Sequence, residues 1–154
     1  MQKITTFLWF NDQAEEAMHF YVSIFKNSKV LSVNRWRKGD ESGVTGVRFQ
    51  LEGQEFIGLN GGPHYTFTPA ISLFVDCNSQ EEVDDTWKKL SAGGEEVQCG
   101  WLRDKYGLSW QIIPSALMEM LDDTDREKSG RVWDAMMKMV KIDIAALKQA
   151  YETP

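Results

Sequence analysis

The stretch AISLFVDCNSQEEVDDTWKKL, residues 70–90, decides the fold, because it repeats an arrangement that the chain has already used once. Ala70–Cys77 is an apolar run that predicts a buried strand. Ser79 is suited to cap a following helix, and Glu81 and Glu82 favour the first turn of that helix. The buried stripe of this predicted helix consists of Val83, Trp87 and Leu90.

The same order of elements opens the chain. Ile4–Phe10 (ITTFLWF) is an apolar run that ends at Asn11 and Asp12, and a helical pattern follows it. The two helix starts can be overlaid, DQAEEAMHFY at residues 12–21 beside SQEEVDDTWK at residues 79–88. Apolar side chains recur at helical spacing in the first of these helices: Ala14, Ala17, Met18, Tyr21, Ile24 and Phe25.

Further strand candidates complete both copies, and glycines separate them. The first copy has Lys29–Arg37, Val44–Leu51 and Glu55–Asn60, and the second has Glu96–Leu102 and Leu108–Ile113. The chain is therefore predicted to form β-α-β-β-β twice, with the second copy slightly shortened, in modules of about residues 1–62 and 70–114.

These modules predict an α+β fold. Neither module can bury a sheet face by itself, so we expect the two sheets to form one curved surface around a cup, with the helices outside. A chain of 154 residues suits a single domain of this kind, residues 1–154. Residues 115–154 are predicted to add a C-terminal helical segment.

The C-terminal segment contains a helix with apolar residues on two faces. A cap at Thr124 or Asp125 begins this helix, which is expected to run to about Val140, and Asp143 caps a last helix. One apolar stripe is Val132, Ala135, Met136 and Met139, and the other is Trp133, Met137 and Val140. A helix with two apolar sides packs on two sides. The second partner is either the last helix or another subunit, which would make the protein a homodimer.

Composition excludes several classes of partner. The net charge is −6 and the basic residues are scattered, so no patch suits nucleic acid or an anionic membrane. No apolar run is long enough to span a membrane, and the N-terminus lacks the order of a signal peptide. Cys77 and Cys99 lie in apolar contexts typical of reduced thiols. We therefore expect a cytoplasmic protein.

Four segments resemble a known family: FNDQAEEAMHFYVSIF (10–25), LNGGPHYTFTPAISLFVDC (59–77), CGWLRDKYGLSWQIIP (99–114) and MMKMVKIDIAALKQAY (136–151). In this order they are similar to the PhnB-like branch of the vicinal oxygen chelate superfamily, the glyoxalase and bleomycin-resistance group. That branch is often labelled "3-demethylubiquinone 3-methyltransferase-like". The resemblance implies the paired-module cup, and a divalent metal at its centre in the enzymes of the superfamily.

The resemblance also locates the positions where those enzymes hold the metal. They fall on Thr5 or Thr6, on Ile57, on Ala70 (or Ser72 if the register shifts), and on Gln111. Isoleucine and alanine have no ligating side chain, and threonine and neutral glutamine are weak ligands. We therefore predict no metal site at these positions and no cofactor. The alternative is a divalent metal recruited by other residues, such as His64 together with Gln111.

Residues expected to line a ligand pocket lie on strands and on one glycine-rich loop. They are Thr6, Trp36, Arg48, Asn60, His64, Trp101 and Gln111. Each has a structural alternative: the tryptophans could be core, and Arg48 could form a surface ion pair. No nucleophile and base stand in a recognisable pattern, so no catalytic residue is assigned.

The function expected from these features is metal-independent binding of a small molecule. Two alternatives stay open. One is a metal-dependent isomerase, lyase or transferase acting on a vicinally oxygenated substrate, as the superfamily implies. The other is a methyltransferase, as the label of the branch says, although LNGGP is followed by a proline-containing loop rather than the helix that a doubly wound cofactor domain needs. Whether the protein is an enzyme is left undecided.

Overall fold

The computed structural model describes residues 2–154, which form two compact units. The first unit ends at Phe67, and the second covers Thr68–Pro154. Each unit contains a four-stranded mixed sheet, and residues 2–154 form five helices, so the predicted α+β class is confirmed.

The first unit has the predicted order β-α-β-β-β. Its elements are β1 (Thr6–Phe10), α1 (Ala14–Ile24), β2 (Lys29–Lys38), β3 (Glu41–Leu51) and β4 (Gln54–Asn60). The strand order is β1-β4-β3-β2, with β1 parallel to β4 and the other pairs antiparallel.

Side-chain alternation gives this sheet one buried face, which packs on α1. Ala17, Met18 and Tyr21 of α1 are fully buried, as their spacing predicted. The Tyr21 ring lies 6.2 Å from the ring of Phe49 on β3, and Phe49 stacks on Phe56 of β4 at 5.4 Å. These aromatic contacts join the helix to the two central strands.

The second unit repeats this topology and then adds three helices. Its elements are β5 (Ser72–Cys77), α2 (Gln80–Ser91), β6 (Glu95–Glu96), β7 (Trp101–Arg103), β8 (Ser109–Pro114), α3 (Ser115–Leu121), α4 (Arg126–Met136) and α5 (Ile144–Glu152). The strand order β5-β8-β7-β6 matches that of the first unit, and β5 is parallel to β8. The internal repeat is therefore present in the structure, whereas the cup that both sheets were expected to share stays a prediction.

The predicted helix caps are confirmed. The Ser79 hydroxyl accepts a hydrogen bond from the Glu82 N–H at 3.1 Å. Asp125, rather than Thr124, caps α4, and Asp143 caps α5 through the Ala146 N–H at 3.2 Å. Each of these side chains satisfies a helix N–H that has no partner within its own helix.

The single strand predicted over Glu96–Leu102 is wrong, because a turn divides it into β6 and β7. Cys99 and Gly100 have positive φ angles of 58° and 84°. Their N–H groups donate to the carbonyl oxygens of Met139 and Val140, which come from the C-terminal segment. The N–H groups at this point therefore bind a distant loop, while the Gly100 carbonyl oxygen accepts from the Ile112 N–H of β8 at 2.7 Å.

The same contact ends α4 earlier than expected. The helix stops at Met136 rather than near Val140, and the residues that follow supply the two carbonyl oxygens. The first apolar stripe of α4 packs in a cluster with Ile113 and with the residues around α5; its buried members are Ile113, Leu117, Val132, Met136, Ile142 and Leu147.

The second apolar stripe of the C-terminal segment remains at the surface. Trp133 is 52% exposed, Met137 49% and Val140 43%. Neither α5 nor the sheet therefore covers this stripe. Within residues 2–154, no helix is both long and apolar enough to cross a membrane.

Two glycines of the second unit provide a matched test of how closely the backbone packs at the start of the β7–β8 turn. A Cβ at Gly94 would collide with the carbonyl oxygen of Arg103, whereas a Cβ at Gly130, inside α4, meets nothing within 4 Å. We expect Gly94→Ala to destabilise the protein by about 1–3 kcal/mol, since the backbone of the β7–β8 turn must move. Gly130→Ala should stabilise it by about 0.5–1 kcal/mol, because alanine favours helix interiors.

Urea denaturation of both variants and the unaltered protein measures these changes. Equal effects of the two substitutions would contradict the packing described for the β7–β8 turn.

Candidate functional site

The sheet of the second unit has two different faces. The face toward α2 carries Cys77, Leu102, Trp110 and Ile112, all of them buried. The alternate residues point to the opposite side. We call this opposite side the Gln111 face, and its residues are Ser72, Phe74, Trp101, Arg103, Ser109 and Gln111.

A row of three side chains crosses the Gln111 face. Gln111 on β8 is in register with Phe74 on β5 and with Trp101 on β7. Residues paired in this way have Cβ atoms about 5 Å apart, so the amide lies between two aromatic side chains. Phe74 is 49% exposed, while Trp101 and Gln111 are half-buried. Solvent therefore reaches the row.

The Gln111 amide has a partner on the neighbouring strand. Its Nε2 donates a hydrogen bond of 3.0 Å to the Ser72 hydroxyl oxygen. This bond joins two of the positions that the superfamily resemblance singled out, Gln111 and the shifted-register alternative Ser72. It holds the amide in one orientation on an otherwise mostly aromatic row.

A buried carboxylate fixes the hairpin that carries Gln111. Asp104, only 2% exposed, lies in the turn between β7 and β8. Its Oδ1 accepts from the N–H groups of Tyr106 at 2.9 Å and Leu108 at 3.0 Å, and its Oδ2 accepts from the Trp110 indole at 2.9 Å. Because Trp110 is held toward α2, its neighbour Gln111 must face the other way.

Charged groups around the Gln111 face are paired within the unit. Arg103 forms an ion pair of 3.3 Å with Glu95. Asp76 accepts a hydrogen bond of 2.8 Å from Ser115 at the start of α3. Farther along β8, Ile113 is covered by the cluster of the C-terminal helices. The exposed part of the Gln111 face thus ends before Ile113, and the uncharged Gln111 amide lies at its centre.

Two of the predicted pocket residues share a face of the first unit. Arg35 reaches Glu15 on α1 at 2.7 Å, so the next residue, Trp36, points to the side away from α1. Arg48 is exposed on that same side. It forms an ion pair of 3.3 Å with Glu55, the surface alternative considered for it.

Thr6 and Asn60 lie on the other face of that sheet, toward α1. Thr6 is in register with the buried Phe56. The Asn60 Oδ1 accepts from the Ala14 N–H at 2.8 Å, and its Nδ2 donates to the Val44 carbonyl oxygen at 3.0 Å. The Asn60 amide therefore holds the start of α1 against the sheet.

His64 is exposed in the loop after β4. The Trp9 indole donates to the Gly62 carbonyl oxygen at 2.9 Å, and the ring of Tyr65 meets the Trp9 ring edge-on at 4.9 Å. The loop is thus attached to β1 by these neighbours of His64.

The structure brings the predicted residues together in pairs. Trp101 and Gln111 share one face in the second unit, and Trp36 and Arg48 share one in the first. Sequence reasoning did not select Phe74, which lies in the same row as Gln111, and weighed Ser72 only as a metal position. Their alternation with Leu73 and Val75 in SLFVDC was the available signal. It could not be used without knowing that β5 pairs with β8.

The donor set does not fit the metal that the superfamily implies. Ile57 has no donor atom, and the Gln111 amide is hydrogen-bonded to Ser72. Among residues 2–154, no three His, Cys, Asp or Glu side chains lie close enough together to hold a metal ion. These residues therefore support no step that passes through a divalent metal.

The environment of Cys77 does not suit a catalytic nucleophile. Its side chain is fully buried on the α2 side of the sheet. Burial, followed by the nearby charges of Glu82 and Asp76, raises the pKa of the thiol to about 12. The thiolate, which is the reactive form, is therefore scarce at neutral pH.

A separate surface groove of about 460 Å³ lies where α2 and α5 begin. Ser79 and Asp143 in its wall already cap those helices, and Gln80 accepts from the Ile144 N–H at 2.7 Å. The polar groups identified in this groove are thus used by the fold. The Gln111 face is the stronger candidate for ligand binding.

Comparison with known proteins assigns the chain to a family. The family model of 3-demethylubiquinone-9 3-methyltransferase matches residues 2–113. Among solved structures, the PhnB protein from Bacillus cereus is 41% identical with a TM-score of 0.69, and the match covers 74% of this chain and 100% of that one. No curated protein sequence matches the chain.

More distant structures share the fold alone. The genomically encoded fosfomycin resistance protein FosX from Listeria monocytogenes is 16% identical with a TM-score of 0.53, and the match covers 77% of this chain and 97% of that one. Protein PA1353 from Pseudomonas aeruginosa is 15% identical with a TM-score of 0.62, covering 74% and 98%. The resemblance expected from the sequence is confirmed.

The role of Asp104 can be tested with a conservative substitution. Asp104→Asn places an NH₂ group where one carboxylate oxygen accepted, so a buried N–H loses its partner. We expect a loss of about 2–4 kcal/mol in the free energy of unfolding, measured by urea denaturation. Asp85→Asn, which breaks the exposed ion pair with Lys89, is the control and should change stability by less than about 0.5 kcal/mol. Similar losses in both variants would contradict the anchoring role.

Proposed function

The chain belongs to the 3-demethylubiquinone-9 3-methyltransferase family, and from that membership we propose that it is a small-molecule-binding protein that works without a bound metal. The proposal rests on one observation above the others. At the position where the superfamily resemblance expects a metal ligand, Gln111 is neutral and hydrogen-bonded to Ser72. A side chain in this state suits a ligand's polar group better than a cation.

The surroundings of Gln111 support the same function. Phe74 and Trp101 lie beside it on the adjacent strands, and Phe74 is half exposed although it is aromatic. Covering such side chains with an apolar ligand is favourable by roughly 25 cal/mol for each Å² removed from water. An aromatic surface with one oriented polar group is the usual composition of a small-molecule site.

A metal-dependent enzyme is the second candidate, because the superfamily contains many. It would have to recruit a metal through residues outside the expected positions, such as His64 with Gln111. His64 is exposed, and the Gln111 amide already has a protein partner. The donor set of the described residues therefore favours the binding protein.

Methyl transfer is the activity in the family's name, and it is the third candidate. A doubly wound cofactor domain has a parallel sheet and a glycine-rich turn that leads into a helix. Here Gly61 and Gly62 lead into a loop, and each sheet has a single parallel strand pair. These features favour binding without S-adenosylmethionine.

Ligand binding without metal is testable by thermal unfolding. A library of uncharged aromatic compounds is screened in the presence of a chelator, and binders should raise the melting temperature. Gln111→Met and Phe74→Ala should reduce that rise, because they remove the polar group or the aromatic wall. Asp85→Asn, on the exposed side of α2, is the control and should leave the rise unchanged.

Two measurements favour the competing candidates. More than about one tenth of a metal ion per chain after purification without chelator, or metal binding on reconstitution, would support the metal-dependent enzyme. Heat of binding with S-adenosylmethionine in calorimetry would support methyl transfer. A library in which no compound raises the melting temperature would contradict the proposed function.

We also propose that two copies of the chain associate through the second apolar stripe of the C-terminal segment. Trp133, Met137 and Val140 are each 43% exposed or more, and such side chains lose unfavourable water contact at an interface. A second copy would give α4 the second apolar partner that its sequence requires. A cytoplasmic location is part of the same proposal, because Cys77 and Cys99 are both free thiols.

Sedimentation equilibrium tests the homodimer. Trp133→Glu should weaken association by about 2 kcal/mol or more, since aromatic side chains at interface centres contribute most to binding. Ile71→Glu, which replaces another exposed apolar residue, is the control and should still dimerise. An unaltered protein that is monomeric at tens of micromolar, or a dimeric Trp133→Glu, would contradict this proposal.

A further inference from the structure

The hydrogen bond between Gln111 and Ser72 uses one N–H of the amide and leaves its other groups to a ligand. A glutamine amide has two N–H donors on Nε2 and an acceptor oxygen, Oε1. Nε2 is directed at the Ser72 hydroxyl oxygen at 3.0 Å. Among residues 2–154, no group donates a hydrogen bond to Gln111 Oε1. Gln111 therefore offers a ligand its acceptor oxygen, which has two lone pairs, and one remaining N–H.

The shape of the row sets a second requirement. Phe74 and Trp101 lie on either side of Gln111, one strand spacing away in each direction. Rings at this spacing offer faces and edges to a flat molecule laid across them. A ligand in that position covers the exposed part of Phe74 and brings a substituent to the amide.

Electrostatics sets a third requirement. Arg103 is the basic residue of the Gln111 face, and its guanidinium is 3.3 Å from the Glu95 carboxylate. Asp76 on β5, in register with Ile113, adds a negative charge on the side of the sheet that Ile113 occupies. An anionic ligand would thus meet no unpaired cation on this face and would lose its hydration.

We propose that the Gln111 face binds flat, uncharged aromatic or conjugated molecules that carry an N–H or O–H donor. The ring lies across Phe74 and Trp101, and the donor meets Gln111 Oε1. Ser72 is a positioning residue, because it acts on the ligand only by orienting the amide. This inference rests on the proposed function and names its class of ligand.

Three related probes separate the requirements. 2-Naphthol has a flat ring and an O–H donor, 2-methoxynaphthalene has the ring without the donor, and 2-naphthoate has the ring with a negative charge. Each is titrated into the full chain, and the dissociation constant is read from ¹H–¹⁵N spectra, in which the Gln111 side-chain amide is followed directly. We expect 2-naphthol to bind at least about tenfold more tightly than the other two probes.

Variants at Gln111 test the acceptor. Gln111→Met keeps the length of the side chain and loses the acceptor, so 2-naphthol should bind about tenfold more weakly. Gln111→Glu keeps an acceptor oxygen, which can also accept from the Ser72 O–H, and should retain binding within about threefold. The matched pair separates loss of the acceptor from any change of the side chain. Asp85→Asn on the exposed side of α2 should bind like the unaltered protein.

Variants at Ser72 test the positioning role. Ser72→Ala removes the hydroxyl, so the Gln111 amide loses its fixed orientation and 2-naphthol should bind about threefold to tenfold more weakly. Ser72→Thr keeps the hydroxyl and should restore the affinity. The two Nε2 proton signals of Gln111 should shift in Ser72→Ala and return in Ser72→Thr, which a purely structural loss would not produce.

The outcomes distinguish this inference from the proposed function. Equal binding of 2-naphthol and 2-methoxynaphthalene overturns the requirement for a donor, and tighter binding of 2-naphthoate overturns the requirement for neutrality. No binding of 2-naphthol at all also overturns the inference. In each case a library compound that raises the melting temperature without metal, and does so less in Gln111→Met and Phe74→Ala, would leave the proposed function standing. If no library compound binds, both this inference and the proposed function are contradicted.

Discussion

The buried carboxylate of Asp104 is the interaction on which the candidate site depends. It accepts from two backbone N–H groups of its own turn and from the Trp110 indole. The first two bonds close the turn between β7 and β8, and the third holds the first apolar residue of β8 against α2. Because successive side chains of a strand point to opposite faces, Gln111 then points away from α2. A polar residue in the core thus determines where the polar residue of the site points.

The two units share one topology but use different polar residues to anchor it. Both have the strand order in which the first and last strands are parallel neighbours, and both place a helix on one face. In the first unit the polar anchor is Asn60, which joins the start of α1 to β3. In the second it is Asp104. A polar side chain at the end of β4 and another in the β7–β8 turn thus anchor apolar strands in the two units.

The second unit differs further in its C-terminal helices, which lie beyond the part of the chain that the family model matches. These helices cover Ile113, and the loop between α4 and α5 accepts backbone hydrogen bonds from Cys99 and Gly100. By ending the exposed part of β8 at Gln111, they limit the row formed with Phe74 and Trp101. The segment that carries the exposed α4 stripe therefore also shapes one end of the Gln111 face.

The sequence alone determined the repeated β-α-β-β-β order, the caps at Ser79 and Asp143, the buried stripe of α2 and the polar character of Gln111. Each of these follows from periodicity or capping within a few neighbouring residues. Only the tertiary structure decided the break at Cys99–Gly100, the early end of α4, the use of Asn60 as an anchor and the bond between Ser72 and Gln111. These depend on partners 16 to 46 residues apart along the chain, such as Ser72 and Gln111 at 39. Their meeting is set by which strands pair and in which register, and local sequence patterns do not encode that pairing.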